Sequence, residues 1–96
     1  MARLAVLILT FNEENNIAAC IQSAAFADEI VVIDSGSTDR TVEIASSLGA
    51  RCTYRPMTEG FAAQRNFALT QTEMEWIMYL AADERITPDL AAEIRQ

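Results

Sequence analysis

The side chains of this chain that could do chemistry are mostly acids, and they recur where apolar runs end. Four such ends stand out, three of them carrying carboxylates: Thr10-Phe11-Asn12-Glu13, Asp34-Ser35-Gly36-Ser37, Arg55-Pro56 and Ala81-Ala82-Asp83-Glu84. Carboxylates gathered together repel one another unless a cation or hydrogen-bond donors occupy them. A phosphate held at such a set would need a metal ion bridging it to a carboxylate, with an arginine as a second partner for the anion. Asp83 and Arg65 are the candidates for that pairing. Other machinery is excluded. With no histidine, a Ser-His-Asp triad is ruled out, and the commonest general base and zinc ligand are absent. No G-x-G-x-x-G follows the first apolar run and no G-x-x-x-x-G-K-[ST] occurs, so neither a dinucleotide turn nor a phosphate loop is expected. Cys20 and Cys52 form no C-x-x-C pair and read as buried free thiols in a reducing compartment.

The elements that must position these residues alternate. Leu4-Ala5-Val6-Leu7-Ile8-Leu9 and Ile30-Val31-Val32-Ile33 are apolar runs of strand length, fit for burial on both faces. Arg51-Cys52-Thr53-Tyr54 is a third, short strand stopped by Pro56, and Trp76-Ile77-Met78-Tyr79-Leu80 a fourth, apolar throughout. Between them Ile17, Cys20, Ile21 and Ala24 mark one helical stripe, and Val42, Ala45 and Leu48 another, closed by Gly49. Phe61 to Leu69 is a third helix, and Thr87-Pro88-Asp89 starts a fourth with a hydroxyl cap, proline in the first turn and an acid beside it. The order predicts an α/β fold: an open, mostly parallel sheet of about four strands with helices on both faces and right-handed crossovers. In such a sheet ligands bind beyond the carboxyl ends of the strands, which is where the acids fall.

Ninety-six residues make one domain. The 7 basic against 14 acidic residues give a net charge of −7, which argues against nucleic-acid partners and against polybasic docking on anionic lipid. The apolar stretch near the N-terminus is too short to span a bilayer and no small-residue cleavage site follows it, so a soluble, cytoplasmic protein is expected. Each charged candidate also has a plain structural alternative. Asp39 reads mainly as a helix cap, and Asp34 as a cap or a ligand contact. Glu13 and Glu14 are first-turn acids or ligand-facing ones. Arg65 is a solvated charge, an ion pair with Glu59 or an anion partner, and Asp83 is a loop acid or a metal ligand.

At this point the residues resemble a family. Val6 to Glu14 and Val31 to Thr41 resemble the two opening motifs of the family 2 glycosyltransferases, Gly60-Phe61-Ala62-Ala63-Gln64-Arg65-Asn66 the segment that follows, and Tyr79 to Arg85 their strand-terminal Asp-x-Asp region. The match runs in order over nearly the whole chain. It implies the Rossmann-like half of a GT-A fold carrying a nucleotide-sugar pocket. Thr10, Phe11 and Glu13 match the motif that lines the nucleoside. Asp34 matches the acid that accepts a hydrogen bond from the base, suited to the imide N–H of uracil. Arg65 matches a basic residue near the nucleotide, and Asp83 the acid that holds Mg²⁺ or Mn²⁺ against the diphosphate. The implied reaction is transfer of a hexose from a nucleotide-diphospho-sugar, UDP-linked, to a glycan or lipid-linked acceptor, metal-assisted and inverting, in the cytoplasm or at the inner face of the cell membrane. In detail (Asp34 to Asp39, Asp83-Glu84-Arg85, Thr87-Pro88) the chain looks most like the glucosyltransferases of lipopolysaccharide core assembly.

Two departures shape the expectation. Ala81 stands where the family pattern has the first aspartate. In an extended segment residues i and i+2 point the same way, leaving Asp83 as the metal ligand and turning Glu84 to the other side. The lost acid should weaken metal and nucleotide binding by about 1–3 kcal/mol. Secondly, the family places acceptor recognition and the catalytic base in a later half, and no residue here matches the base that takes the acceptor's proton. Residues 1–96 are therefore expected to be the nucleotide-sugar-binding part, with the acceptor half absent, no catalytic residue assigned and no turnover alone. The alternative is a non-catalytic binding or assembly module on a degenerate transferase scaffold. A receiver-like domain would need a strand-end lysine, and this chain has none there. A half sheet would also expose Trp76, Ile77, Met78 and Tyr79, which predicts a homo-oligomer.

Overall fold

The computed structural model describes residues 3–95. Its elements are β1 (Leu4–Thr10), α1 (Ile17–Ser23), β2 (Glu29–Asp34), α2 (Thr41–Ser47), β3 (Arg51–Tyr54), α3 (Phe61–Leu69), β4 (Trp76–Ala81) and α4 (Pro88–Arg95). The strands form one sheet in the order β3-β2-β1-β4, and every pairing is parallel. The chain winds outward from β1 through β2 to β3, then crosses back to place β4 on the other side of β1. Because crossovers are right-handed, reversing direction along the sheet also reverses the face on which the connecting helix lies. Accordingly α1 and α2 pack on one face and α3 on the other.

β1 lies between two neighbours and is apolar throughout except at Thr10, and Ala5 to Ile8 are fully buried. Its alternate side chains feed two cores. Leu4, Val6 and Ile8 meet Ile17, Cys20, Ile21 and Ala24 of the first helical stripe, together with Val32, Ala45 and Leu80. Ala5 and Leu7 meet Val31, Ile33 and Ala68 beneath α3. At the end of α2, Gly49 (φ 92°) takes the left-handed turn. The N–H groups of Gly49 and Ala50 return to the carbonyls of Ser46 and Ala45, which satisfies the open end of the helix. Thr87 caps α4 through a 3.2 Å bond from the Leu90 N–H to its hydroxyl. No described helix is long and apolar enough to cross a membrane.

One expectation is corrected and another is met in part. The inward face of α2 is Thr41 and Ala45 rather than Val42, Ala45 and Leu48; Val42 and Leu48 are 37% and 39% exposed. The rotation follows from Thr41, whose hydroxyl is drawn inward by the Glu13 N–H and the Asp39 carboxylate. β4 is open to solvent as a half sheet implies, at Trp76 and Tyr79, while Ile77 and Met78 are half-buried. Among the described residues it pairs only with β1, so Trp76 (62%) and Tyr79 (39%) face solvent.

Candidate functional site

The carboxyl ends of β1 and β2 are adjacent, with Thr10 opposite Asp34 in the parallel register, and the loops that follow are bonded into one unit. The Ser35 N–H and hydroxyl both donate to the Thr10 carbonyl, at 3.0 and 3.1 Å. The Asn12 N–H donates to the Ser37 hydroxyl at 2.7 Å, and Asn12 Oδ1 accepts the Thr38 N–H at 2.8 Å. The Glu13 N–H reaches the Thr41 hydroxyl at 2.8 Å, and the Glu14 N–H reaches Asp39 at 3.2 Å. Asn12 accepts a left-handed backbone (φ 53°) to make these contacts, a conformation that asparagine tolerates better than most residues. One seam of side chain to backbone bonds thus holds the β1–α1 and β2–α2 loops at fixed spacing.

Asp34 is the centre of that seam. It is 3% exposed. Its Oδ1 accepts from the Thr10 and Ser37 hydroxyls at 2.7 and 2.6 Å. Its Oδ2 accepts from the Gly36 and Ser37 N–H groups at 3.0 and 2.7 Å. A carboxylate has about four acceptor positions, so these four donors fill it. Burial by itself pushes the Asp34 carboxyl up, but the hydrogen bonds from Ser37, Thr10 and Gly36 outweigh burial and hold it below the ordinary carboxylate value. A base N–H arriving at Asp34 would have to displace one of these donors. Asp39 is likewise drawn down. Desolvation raises it, but the Thr41 hydroxyl and N–H and the Glu14 N–H lower it further. Expected as the cap of α2, it stands instead one residue before the N-cap Arg40 and accepts the Thr41 N–H at 3.0 Å.

On the other side of β1 lies a concavity of about 300 Å³, lined by Leu7 and Leu9 of β1, Phe61 and Arg65 of α3, Tyr79, Leu80 and Ala81 of β4, and Glu84. It sits between β1 and β4, where the direction of winding reverses, which is the crevice that open α/β sheets offer to ligands. Arg65 lies over the Tyr79 ring at 5.7 Å and has no ion pair with Glu59 among the described residues. α3 is anchored beneath by buried Gln64, which donates to the Arg55 carbonyl at 2.7 Å and accepts from the Arg55 guanidinium at 2.9 Å. A larger depression of about 610 Å³ lies at the opposite, amino edge among Arg3, Glu29, Arg51 and the α3–β4 loop. There Arg51 is already engaged by Glu29 and the Gln71 carbonyl, so it is the weaker candidate.

The structure therefore splits the predicted residues between two places. Thr10 and Asp34 lie in the seam, with Glu13 bonded to it through its backbone while its carboxylate accepts from Asn16 at 3.2 Å. Phe11, 56% exposed, stands at the end of β1. Arg65 and Ala81 line the crevice, and Asp83 is exposed in the turn after β4. Asp34 ends β2 and Asp83 follows the end of β4, on opposite sides of β1, one carboxylate buried and bonded within the protein, the other exposed. Glu13 and Glu14 precede α1 instead of occupying its first turn. The segment after Ala81 is also not extended. The Glu84 N–H returns to the Ala81 carbonyl at 2.9 Å, and Glu84 Oε1 accepts the Ala81 N–H at 2.8 Å. Glu84 thus folds back to the crevice instead of facing away. Sequence reasoning missed this turn, and it also missed Ser37 and Thr41 as seam donors. Their hydroxyls, placed two or three residues after an acid, are the readable signal of Asx-type turns.

Among the described residues no three acids, cysteines or histidines group closely enough to hold a metal ion by themselves. Mg²⁺ and ions like it commonly use one or two carboxylates with phosphate oxygens and water completing the shell, and exposed Asp83 fits that shared kind of site.

Comparison with known proteins gives consistent matches. The model of the family described as glycosyl transferase family 2 matches residues 5–94. The lipopolysaccharide core biosynthesis glycosyltransferase LpsC of Rhizobium meliloti is 39% identical over 88 residues, 86% of this chain and 32% of that protein. Among solved structures, TarS 1–349 of S. aureus superposes with a TM-score of 0.83 at 27% identity, covering 97% of this chain and 31% of that one. The glucosyl-3-phosphoglycerate synthase of Mycobacterium tuberculosis, in complex with Mn²⁺, UDP and glucosyl-3-phosphoglycerate, gives 0.69 at 28% identity, covering 84% and 33%. The chain spans about a third of the length of the curated relatives it matches.

Proposed function

The chain belongs to glycosyl transferase family 2, and from that premise we propose that these residues bind the donor of a glycosyl transfer, a UDP-linked hexose, in the crevice between β1 and β4. The observation that carries this is the position of Arg65. It stands in a crevice at the winding reversal of the sheet, beside the end of β4 from which Asp83 projects. Arg65 supplies a fixed cation for the diphosphate. Asp83 would hold Mg²⁺ or Mn²⁺, and the ion, when bound, would offset the charge of the departing nucleoside diphosphate. Phe11 offers an aromatic face to the base. Thr10, Asp34 and the Glu13 backbone act by setting the loop on which that face stands; Asp34 contributes through the Gly36–Ser37 turn it organises, since its own oxygens are filled. The M. tuberculosis synthase with UDP and Mn²⁺ supports the donor and metal classes.

Calorimetric titration with UDP, with and without Mn²⁺, tests this. Metal-dependent binding that weakens in Arg65→Ala and Asp83→Ala is expected; no uridine nucleotide binding under either condition refutes it. We extend the proposal to an inverting transfer to a glycan or lipid-linked acceptor of the lipopolysaccharide core type, at the cytoplasmic face of the membrane, with donor binding the share carried by these residues. LpsC supports the acceptor class. The open side of β4 supports a homo-oligomer, which sedimentation at rising concentration would show as a growing species and a constant monomer mass would exclude.

A further inference from the structure

We infer that Gln64 is a positioning residue for Arg65: by tying α3 to the end of β3, it sets where the guanidinium stands in the crevice. α3 has little else to fix it. Its buried side chains are Gln64 and Ala68, and its N-cap, Gly60, makes no side-chain bond. Phe67 is only half-buried. One alanine buries too little apolar surface to define the rotation of a helix. Gln64 supplies what is missing. It is fully buried, and a buried amide needs partners for both its carbonyl and its NH₂ group. Both partners belong to one residue. Nε2 donates to the Arg55 carbonyl at 2.7 Å, and Oε1 accepts from the Arg55 guanidinium at 2.9 Å. That guanidinium also lies over the Phe67 ring at 4.9 Å, one helical turn further along α3. Arg55 is bound to the sheet in its turn, its N–H donating to the Asp34 carbonyl at 2.8 Å. It has no acidic partner among the described residues, so its charge is engaged by the helix instead of a carboxylate.

The next residue completes a brace. The Arg65 carbonyl accepts the Tyr79 hydroxyl at 3.2 Å, and the Arg65 guanidinium lies over the Tyr79 ring at 5.7 Å. Residues 64 and 65 are thus held from β3 at one edge of the sheet and from β4 at the other. Without the first tie the helix can turn about the second, and the Arg65 fork shifts within the crevice. Recognition of phosphate by arginine depends on the direction of that fork. Rotation of α3 therefore costs affinity for the diphosphate and spares the nucleoside.

This rests on the donor-binding proposal above, and the test separates the two. Gln64→Met keeps the length of the side chain and removes both bonds. Gln64→Asn, one methylene shorter, keeps an amide there but cannot reach both Arg55 groups, and serves where Gln64→Met does not fold. UDP and uridine are titrated with Mg²⁺ into the natural chain, the Gln64 variants and Arg65→Ala, followed by NMR shifts, with circular dichroism to confirm the fold. The preference for UDP over uridine should fall about tenfold in Gln64→Met, as in Arg65→Ala, while uridine affinity stays within about twofold. Equal weakening of UDP and uridine overturns the assignment, as does failure of both Gln64 variants to fold, since either makes Gln64 a residue of general stability. An unchanged preference in the Gln64 variants overturns it too, while leaving donor binding intact. Failure of the natural chain to bind UDP removes the donor-binding proposal and this inference with it.

Discussion

Replacing Asp34 with asparagine changes one oxygen for an NH₂ group and tests whether the seam between the β1 and β2 loops is held by charge. In the natural protein Asp34 accepts four hydrogen bonds, each to an ionised acceptor. Hydrogen bonds to charged groups contribute about 1.5–3 kcal/mol net, and neutral ones about 0.5–1.5. Asparagine can keep its carbonyl on the Gly36 and Ser37 N–H groups and turn its NH₂ toward the Thr10 and Ser37 hydroxyls, which can accept. The loss is then about 1 kcal/mol for each bond, and with incomplete additivity about 2–4 kcal/mol in all. Asp34→Ala leaves the same donors without an acceptor and should cost more. A domain of 96 residues has a total stability of about 5–14 kcal/mol, so Asp34→Asn should fold and Asp34→Ala should be marginal. Urea unfolding followed by far-UV circular dichroism reads the change as a shift in midpoint at constant slope. Because the folded carboxyl is held below the ordinary aspartate value, its contribution is complete above that ordinary value and is lost as pH falls through the lower folded value. Asp34→Asn has no such titration, so the gap between the two proteins should be steady near neutrality and close in acid. A gap under about 0.5 kcal/mol at neutral pH, within the range of ordinary surface changes, would show that charge on Asp34 does not hold the seam, as would one that persists in acid.

Other outcomes follow from the same coordinates. Gly36→Ala should lower stability by about 1–3 kcal/mol in the same urea assay, because Gly36 has φ 119°, a backbone that residues with a side chain rarely adopt, while the added Cβ itself would make only ordinary contact with the Tyr54 ring at 3.5 Å. Ala81→Asp, which puts an acid on the crevice wall next to Glu84, should strengthen Mn²⁺-dependent UDP binding by about tenfold, measured calorimetrically; unchanged affinity would show that position 81 has no part in metal or donor binding. Burial raises the Cys20 thiol to about 11, with Arg85 opposing that shift, and Cys20 is fully buried. In the folded protein iodoacetamide should therefore label the half-buried Cys52 first, as read by mass spectrometry, and Cys20 only after unfolding.

Much of this protein could be read before folding. Apolar runs long enough for strands, separated by helical stripes, admit little besides a parallel sheet, because a strand without polar side chains must be covered on both faces and a parallel neighbour needs a crossover helix. The motifs at the carboxyl ends of the strands pointed to the family that the comparison shows. The sequence pattern could not say which way each acid turns. Asp34, Asp39 and Glu84 differ in fate because of hydroxyls and backbone N–H groups brought to them by turns and, for Asp34 and Asp39, by a neighbouring loop 24 or 25 residues away in the chain. Hydrophobic period likewise predicted β4, but whether an apolar strand is buried or lies at an edge depends on its neighbours in the sheet, and those are set by chain topology. Local composition specifies what each segment prefers to be; only the three-dimensional juxtaposition decides which oxygens are spent on the protein itself and which remain for a ligand.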